Sequence, residues 1–187
     1  CRYGLMLKDD GTIFDDGIVA MLAPNRFHVT TTTGGAGRVL HHMEDYRQTE
    51  WPQLRVWLTS VTEQWATIAV QGPQAREALR PLVEGIDVSS LAMPHMSLRE
   101  GTICGAAMRL FRISFTGELG FEVNVPAGSA STIWEAIAAQ VAMVLDHPAR
   151  RAALAAAMAL IISVKPGPSV PEAAATSPVT RQNPSAA

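Results

Sequence analysis

Apolar positions come in short runs through the first third of the chain. Tyr3 to Leu7 is apolar and stops at the turn signal Lys8-Asp9-Asp10-Gly11. Thr12 to Leu22 is apolar again, broken by Asp15-Asp16-Gly17. Phe27 to Thr33 is rich in β-branched residues and ends at Gly34-Gly35. These three runs predict strands. The pattern then changes to helical spacing over Ala36 to Thr49, with Val39, Leu40, Met43 and Tyr46 on one side. Leu54 to Thr59 and Trp65 to Val70 predict two more strands.

A helix follows Gly72-Pro73, with the proline in its first turn and a stripe of Ala75, Ala78, Leu79 and Leu82. Ser89 to Glu100 reads as a loop. Ile103 to Phe115 and Phe121 to Val125 read as strands around a glycine-rich turn, and Ile133 to Val144 as a helix. Consecutive strands favour antiparallel pairing over βαβ winding, so the predicted class is α+β, with antiparallel or mixed sheets and packed helices.

Composition adds a boundary. The chain has 187 residues, 48% of them hydrophobic and 17% charged, enough for a real core. From about residue 145 alanine takes over, and from Lys165 onward Pro, Ser, Ala and Thr dominate without an aromatic. Residues 1–144 read as the folded domain. Residues 145–187 read as a largely disordered tail that cannot bury a core. The chain opens on Cys1-Arg2-Tyr3-Gly4 without a methionine, which reads as the interior of a longer protein.

Charge narrows the partners. A net charge of −2 without a basic block gives no case for nucleic acid. The longest apolar run, Ala152 to Val164, is shorter than the roughly 20 residues of a membrane span, so no membrane partner is expected. Two cysteines, Cys1 and Cys104, do not form a disulfide framework, which points to a reduced, cytoplasmic protein. His41-His42 face different directions on a helix, and His28, His95 and His147 have no acidic or thiol partner at ligand spacing. No metal is expected. Gly34-Gly35-Ala36-Gly37 lacks both the third glycine of a dinucleotide fingerprint and the Gly-Lys-Ser/Thr of a P-loop, so it reads as a strand-to-helix turn. Trp51, Trp57 and Trp65 read as core anchors.

Two acidic sites remain. Asp15 and Asp16 are neighbours on a strand and point to opposite faces. Asp16 shares its side with Phe14 and Ile18, and Asp15 with Ile13 and Val19. Both sides are apolar, so parity does not choose between them. The pair is either a solvated turn or bulge, or one carboxylate is held in a pocket as a proton or hydrogen-bond acceptor. Glu118 falls at the tip of the later turn and is expected in solvent. Glu122 shares a strand face with Asn124. It is either part of an ordinary polar face or an acceptor for a ligand edge with two parallel N–H groups, such as a pterin presents.

Four segments carry a resemblance: Asp10-Gly11-Thr12-Ile13-Phe14-Asp15-Asp16; Thr30 to Gly35; Val70-Gln71-Gly72-Pro73-Gln74-Ala75; and Ser114-Phe115-Thr116-Gly117-Glu118-Leu119-Gly120-Phe121-Glu122-Val123. In that order they resemble the glycine cleavage T-protein (aminomethyltransferase) family over roughly residues 1–140. Cys1 to Gly4, Phe27 to Gly35, Gln48-Thr49-Glu50-Trp51-Pro52 and Leu58 to Trp65 look most like the alpha subunits of heterotetrameric sarcosine oxidases within it. Residues 141–187 do not resemble the family, so an incomplete gene product is expected.

The resemblance implies ferredoxin-like subdomains and a tetrahydrofolate site. It implies Asp16 beside the reacting folate nitrogens, Glu122 on the pterin edge and Phe115 near the ring. It implies capture of the one-carbon unit from sarcosine N-demethylation as 5,10-methylenetetrahydrofolate, in a hetero-oligomer with other sarcosine oxidase subunits. Flavin and NAD are expected only in the rest of that complex, since no motif for either occurs here. Two alternatives stay open: an aminomethyltransferase of the glycine cleavage system, and a non-catalytic folate-binding or interaction module.

Overall fold

The computed structural model describes residues 1–146 and 161–165. Two antiparallel sheets organise them. The first is three-stranded, β1 (Arg2–Leu7), β2 (Ile13–Ala23) and β3 (Arg26–Val29), in that order. β2 runs straight through Asp15-Asp16-Gly17, because Leu5 and Met6 of β1 pair with Asp16 and Asp15. The expected interruption at the two acids is therefore absent. The irregularity falls one step away, between Met6 and Leu7. Helix α1 (Ala36–Thr49) follows, with the bounds that its spacing predicts.

The second sheet holds β4 (Trp65–Gln71), β5 (Val83–Glu84), β6 (Ser97–Ile103), β7 (Ala106–Arg112), β8 (Gly120–Pro126) and β9 (Ile161–Lys165). Its order is β5-β6-β7-β8-β4-β9. Helices α2 (Ala75–Leu79) and α3 (Ala130–Asp146) supply the crossings. The four strands β9-β4-β8-β7 with these two helices have the split βαβ order of a ferredoxin-like unit, and β5-β6 extend one edge. Period-2 patterning puts Ile68, Val70, Leu110, Phe121 and Val123 on one face, where they bury against Leu79 of α2 and Ile133 and Ile137 of α3. The fold class is α+β, as the sequence pattern predicts. β9 lies inside the expected tail. The other residues of 145–187 beyond Asp146 fall outside the described residues.

Several element predictions are corrected. Leu54 to Thr59 is not a strand: Leu54, Val56 and Trp57 stay exposed, and the segment pairs with neither sheet. β-propensity without a neighbouring edge does not make a strand. Trp51 and Trp57 are likewise exposed, Trp57 to 85%, and only Trp65 is half-buried. The run from Ile103 to Phe115 is broken at its start. Cys104 and Gly105 take φ of 51° and 77° and close a two-residue hairpin between β6 and β7. Both central residues of such a turn need positive φ, which glycine adopts freely and cysteine does not advertise. The hairpin draws Ser97–Glu100, read as loop, into β6. β3 stops at Val29 and α2 starts two residues after Pro73.

Candidate functional site

The pair Asp15 and Asp16 is split by the pleat, and the two environments differ in kind. Asp15 points toward the start of α1 and is only 3% exposed. Its Oδ1 accepts from the backbone N–H groups of Asp16 (2.9 Å) and Thr32 (3.0 Å). Its Oδ2 accepts from the Thr32 hydroxyl and from Arg38, both at 3.0 Å. Burial works to raise the Asp15 carboxyl, but these donors outweigh it and hold the group below the ordinary aspartate range. Gly35 is required beside it, since a Cβ there would collide with the Asp15 carboxylate. Arg38 also donates to the Phe14 carbonyl at 2.7 Å and lies 4.5 Å over the Phe14 ring. Asp15 thus fastens α1 and the Thr30–Gly35 segment to β2. A carboxylate at the Gly35 turn also disfavours that turn as an anion cradle.

Asp16 lies on the other face. Its Oδ2 accepts from the Tyr3 hydroxyl at 2.8 Å, and this bond to a carboxylate raises the Tyr3 phenol above its ordinary range. Asp16, Ile18 and Ala20 share that face by alternation. Ala20 is fully buried and clusters with Phe111 and Ile113 of the larger sheet, with Ile18 packed alongside. Phe111 in turn pairs in register with Glu122. Asp16 therefore shares a strand face with Ala20, and Glu122 a sheet face with Phe111, two residues through which the sheets touch. Parity alone does not distinguish Asp15 from Asp16, whereas burial separates their environments.

Glu122 is half-buried in β8, between Ala69 of β4 and Phe111 of β7. Two residues along the same face, Asn124 is 3% exposed. Its Oδ1 accepts from the Thr67 hydroxyl at 2.8 Å, and its enclosed Nδ2 has no hydrogen-bond partner among the described residues. The turn before β8 is held from the side. The buried Gln71 Oε1 accepts from Ser114 (3.2 Å) and Thr116 (3.4 Å), and the Gly72 N–H donates to the Leu119 carbonyl at 2.8 Å. Glu118, expected in solvent, is half-buried, and its Oε2 is enclosed. Phe115 stands 93% exposed on this turn. The structure leaves the Phe115 ring packed against almost nothing.

The four segments that looked separate in sequence thus form two stitched units. Asp10–Asp16 joins Thr30–Gly35 through Asp15, and Val70–Ala75 joins Ser114–Val123 through Gln71. The sequence profile of the GCVT N-terminal domain matches residues 1–158. The chain belongs to the GCVT N-terminal domain family. It is 50% identical over 135 residues to the "Sarcosine oxidase subunit alpha" of Corynebacterium sp. (strain P-1), covering 72% of this chain and 14% of that protein. The "Sarcosine oxidase subunit alpha" of Rhizobium meliloti (strain 1021) is 48% identical over 138 residues, 73% of this chain and 14% of that one. The "Aminomethyltransferase" of Herpetosiphon aurantiacus is 35% identical over 137 residues, 71% of this chain and 35% of its own length. The chain therefore spans about one seventh of the sarcosine oxidase subunits that it matches. Among the described residues of this GCVT domain, no helix is long and apolar enough to cross a membrane.

Sequence reasoning missed Tyr3, Gln71, Arg38 and Asn124 in this domain. Tyr3 and Arg38 lie 13 and 23 residues from the aspartates that they reach. Only strand pairing and helix docking reveal such contacts. Asn124 had a usable signal, since it alternates with Glu122 in an otherwise apolar strand.

Proposed function

We propose that this chain is the folate-binding domain of a sarcosine oxidase alpha subunit. Glu122 holds the amidine-like edge of the pterin, and Asp16 lies beside the reacting nitrogens. The observation that supports this reading is that Asp16 and Glu122 each share a strand face with one member of the Ala20–Phe111 contact between the sheets. The higher identity to sarcosine oxidase alpha subunits than to the aminomethyltransferase, 50% against 35%, supports that branch of the family.

The residues fit the ligand. A carboxylate accepts two parallel N–H bonds from an amidine edge. Beside it, Asn124 offers a donor that has no acceptor among the described residues. Bound tetrahydrofolate supplies the nucleophilic nitrogens that take up the one-carbon unit from sarcosine, yielding 5,10-methylenetetrahydrofolate. Asp16 accepts the proton lost from the attacking nitrogen, or stabilises the cation that forms. The Tyr3 hydroxyl occupies one Asp16 oxygen and so fixes which way the carboxylate points. Phe115, exposed in this chain, would close over the ring as the ligand binds. A flavin held elsewhere in a hetero-oligomer of sarcosine oxidase subunits would supply the oxidation of the N-methyl group, and NAD would belong to the same remainder of the complex.

Calorimetry with tetrahydrofolate on the 187-residue chain tests the reading. Wild type should bind, and Glu122→Ala should bind at least about tenfold more weakly, a loss of about 1.4 kcal/mol. No detectable binding by wild type overturns the folate assignment. Equal binding by both moves the pterin contact away from Glu122.

A further inference from the structure

Arg109 sits where the two sheets meet. Its Nε donates to Glu100 of β6 at 3.1 Å. Its guanidinium carbon lies 4.2 Å from the centre of the Trp65 ring, on β4. One of its terminal nitrogens lies 3.3 Å from Nδ1 of His28, on β3 of the smaller sheet. His28 is 8% exposed, and its ring lies 5.6 Å from that of Phe111. One guanidinium thus ties β3 to β6 and β4 across the contact between the two sheets.

Arginine only donates. The contact therefore requires a bare lone pair on His28 Nδ1, which puts the single ring proton on Nε2. A second proton would remove the acceptor and set two cations against each other. We propose that His28 and Arg109 form an acid-released latch, in which protonating His28 frees Arg109 from Trp65 and loosens the three-stranded sheet from the six-stranded one.

The charges around His28 favour release. Arg109 faces it from β7 and Arg26 flanks it on β3. The nearby carboxylate, Glu100, is engaged by both arginines, at 3.1 Å to Arg109 and 3.7 Å to Arg26. Across the pair on β2 stands Ala20, which offers no charge. Burial first, and the Arg109 charge second, hold the His28 imidazole below its ordinary value. The unfolded chain therefore takes up the proton first as pH falls. The latch is complete above about pH 6.5, the ordinary histidine value, and weakens as the pH falls below it toward the lower folded value. Because Asp16 and Glu122 ride on different sheets, release would also lower ligand affinity. That consequence rests on the function proposed above, whereas the latch does not.

NMR titration of the full chain from pH 8 to 5, without ligand, tests it. The His28 ring should titrate with a midpoint below the ordinary histidine value, and the Trp65 indole resonance should shift with the same midpoint. His28→Phe, with a ring but no titratable nitrogen, should abolish the Trp65 shift. A Trp65 transition that persists in His28→Phe overturns the latch, as does a Trp65 resonance that ignores His28 protonation. Should His28→Phe fail to fold, the wild-type midpoints decide alone: coincidence supports the latch and separation overturns it.

Discussion

The two sheets have opposite relations to their surroundings. The six-stranded sheet is covered on one face by α2 and α3 and buries residues such as Leu110, Phe121 and Ile137 completely. The three-stranded sheet buries little beyond Ala20 and His28 against its neighbour, while Tyr3, Leu5, Leu7, Ile13, Met21 and Phe27 remain more than half exposed. A strand ladder without a covered face is marginal by itself. Besides this limited burial, the smaller sheet carries specific polar ties, including Asp15 to α1 and, toward the larger sheet, His28 to Arg109, Arg26 to Glu100 and the Cys1 ammonium to the Met96 carbonyl. The comparison teaches that stability resides in one layer, and that the relative position of the two candidate carboxylates depends on the other.

Breaking the covered layer should have the largest effect. Phe121→Ala removes a fully buried ring packed against α2 and α3 and should cost about 3–5 kcal/mol in denaturant unfolding. Asp15→Ala attacks the smaller layer. It strands the Thr32 donors and Arg38 and should cost about 2–3 kcal/mol, with α1 losing hydrogen-exchange protection before the large sheet does. The difference between wild type and Asp15→Ala should also depend on pH. The folded carboxyl lies below its unfolded value, so its contribution is complete above about pH 4 and is lost as the pH falls through the folded value. A difference that grows in acid would contradict the role of the ties. At the small end, Met21→Thr on the uncovered face should change stability by no more than about 0.5 kcal/mol by the same measurement. A large loss there would mean that burial, after all, governs the smaller sheet.

Much of this was legible in the chain. The bounds of α1 followed from Gly34-Gly35 and the spacing of Val39, Leu40, Met43 and Tyr46, and β8 from strict alternation between Phe121 and Val125. The break at Cys104-Gly105 was not legible, because cysteine is an unusual occupant of positive φ and the flanking residues continue a strand-like pattern. For the site, family resemblance named Asp16 and Glu122, but local pattern could not separate Asp16 from Asp15. That separation depends on Thr32 and Arg38, which reach Asp15 from 17 and 23 residues away. Tertiary contact decided what periodicity could not.

The stitching of the turns has an evolutionary corollary. Gly35 leaves no room for a side chain beside Asp15, and Gln71 is shaped to receive two hydroxyls from the turn before β8. Lineages that replace Gly35 should therefore shorten or neutralise residue 15 in the same step. Those that lose the amide at 71 should drift together at 114 and 116. Across related chains, these positions should drift as linked characters rather than as independent ones.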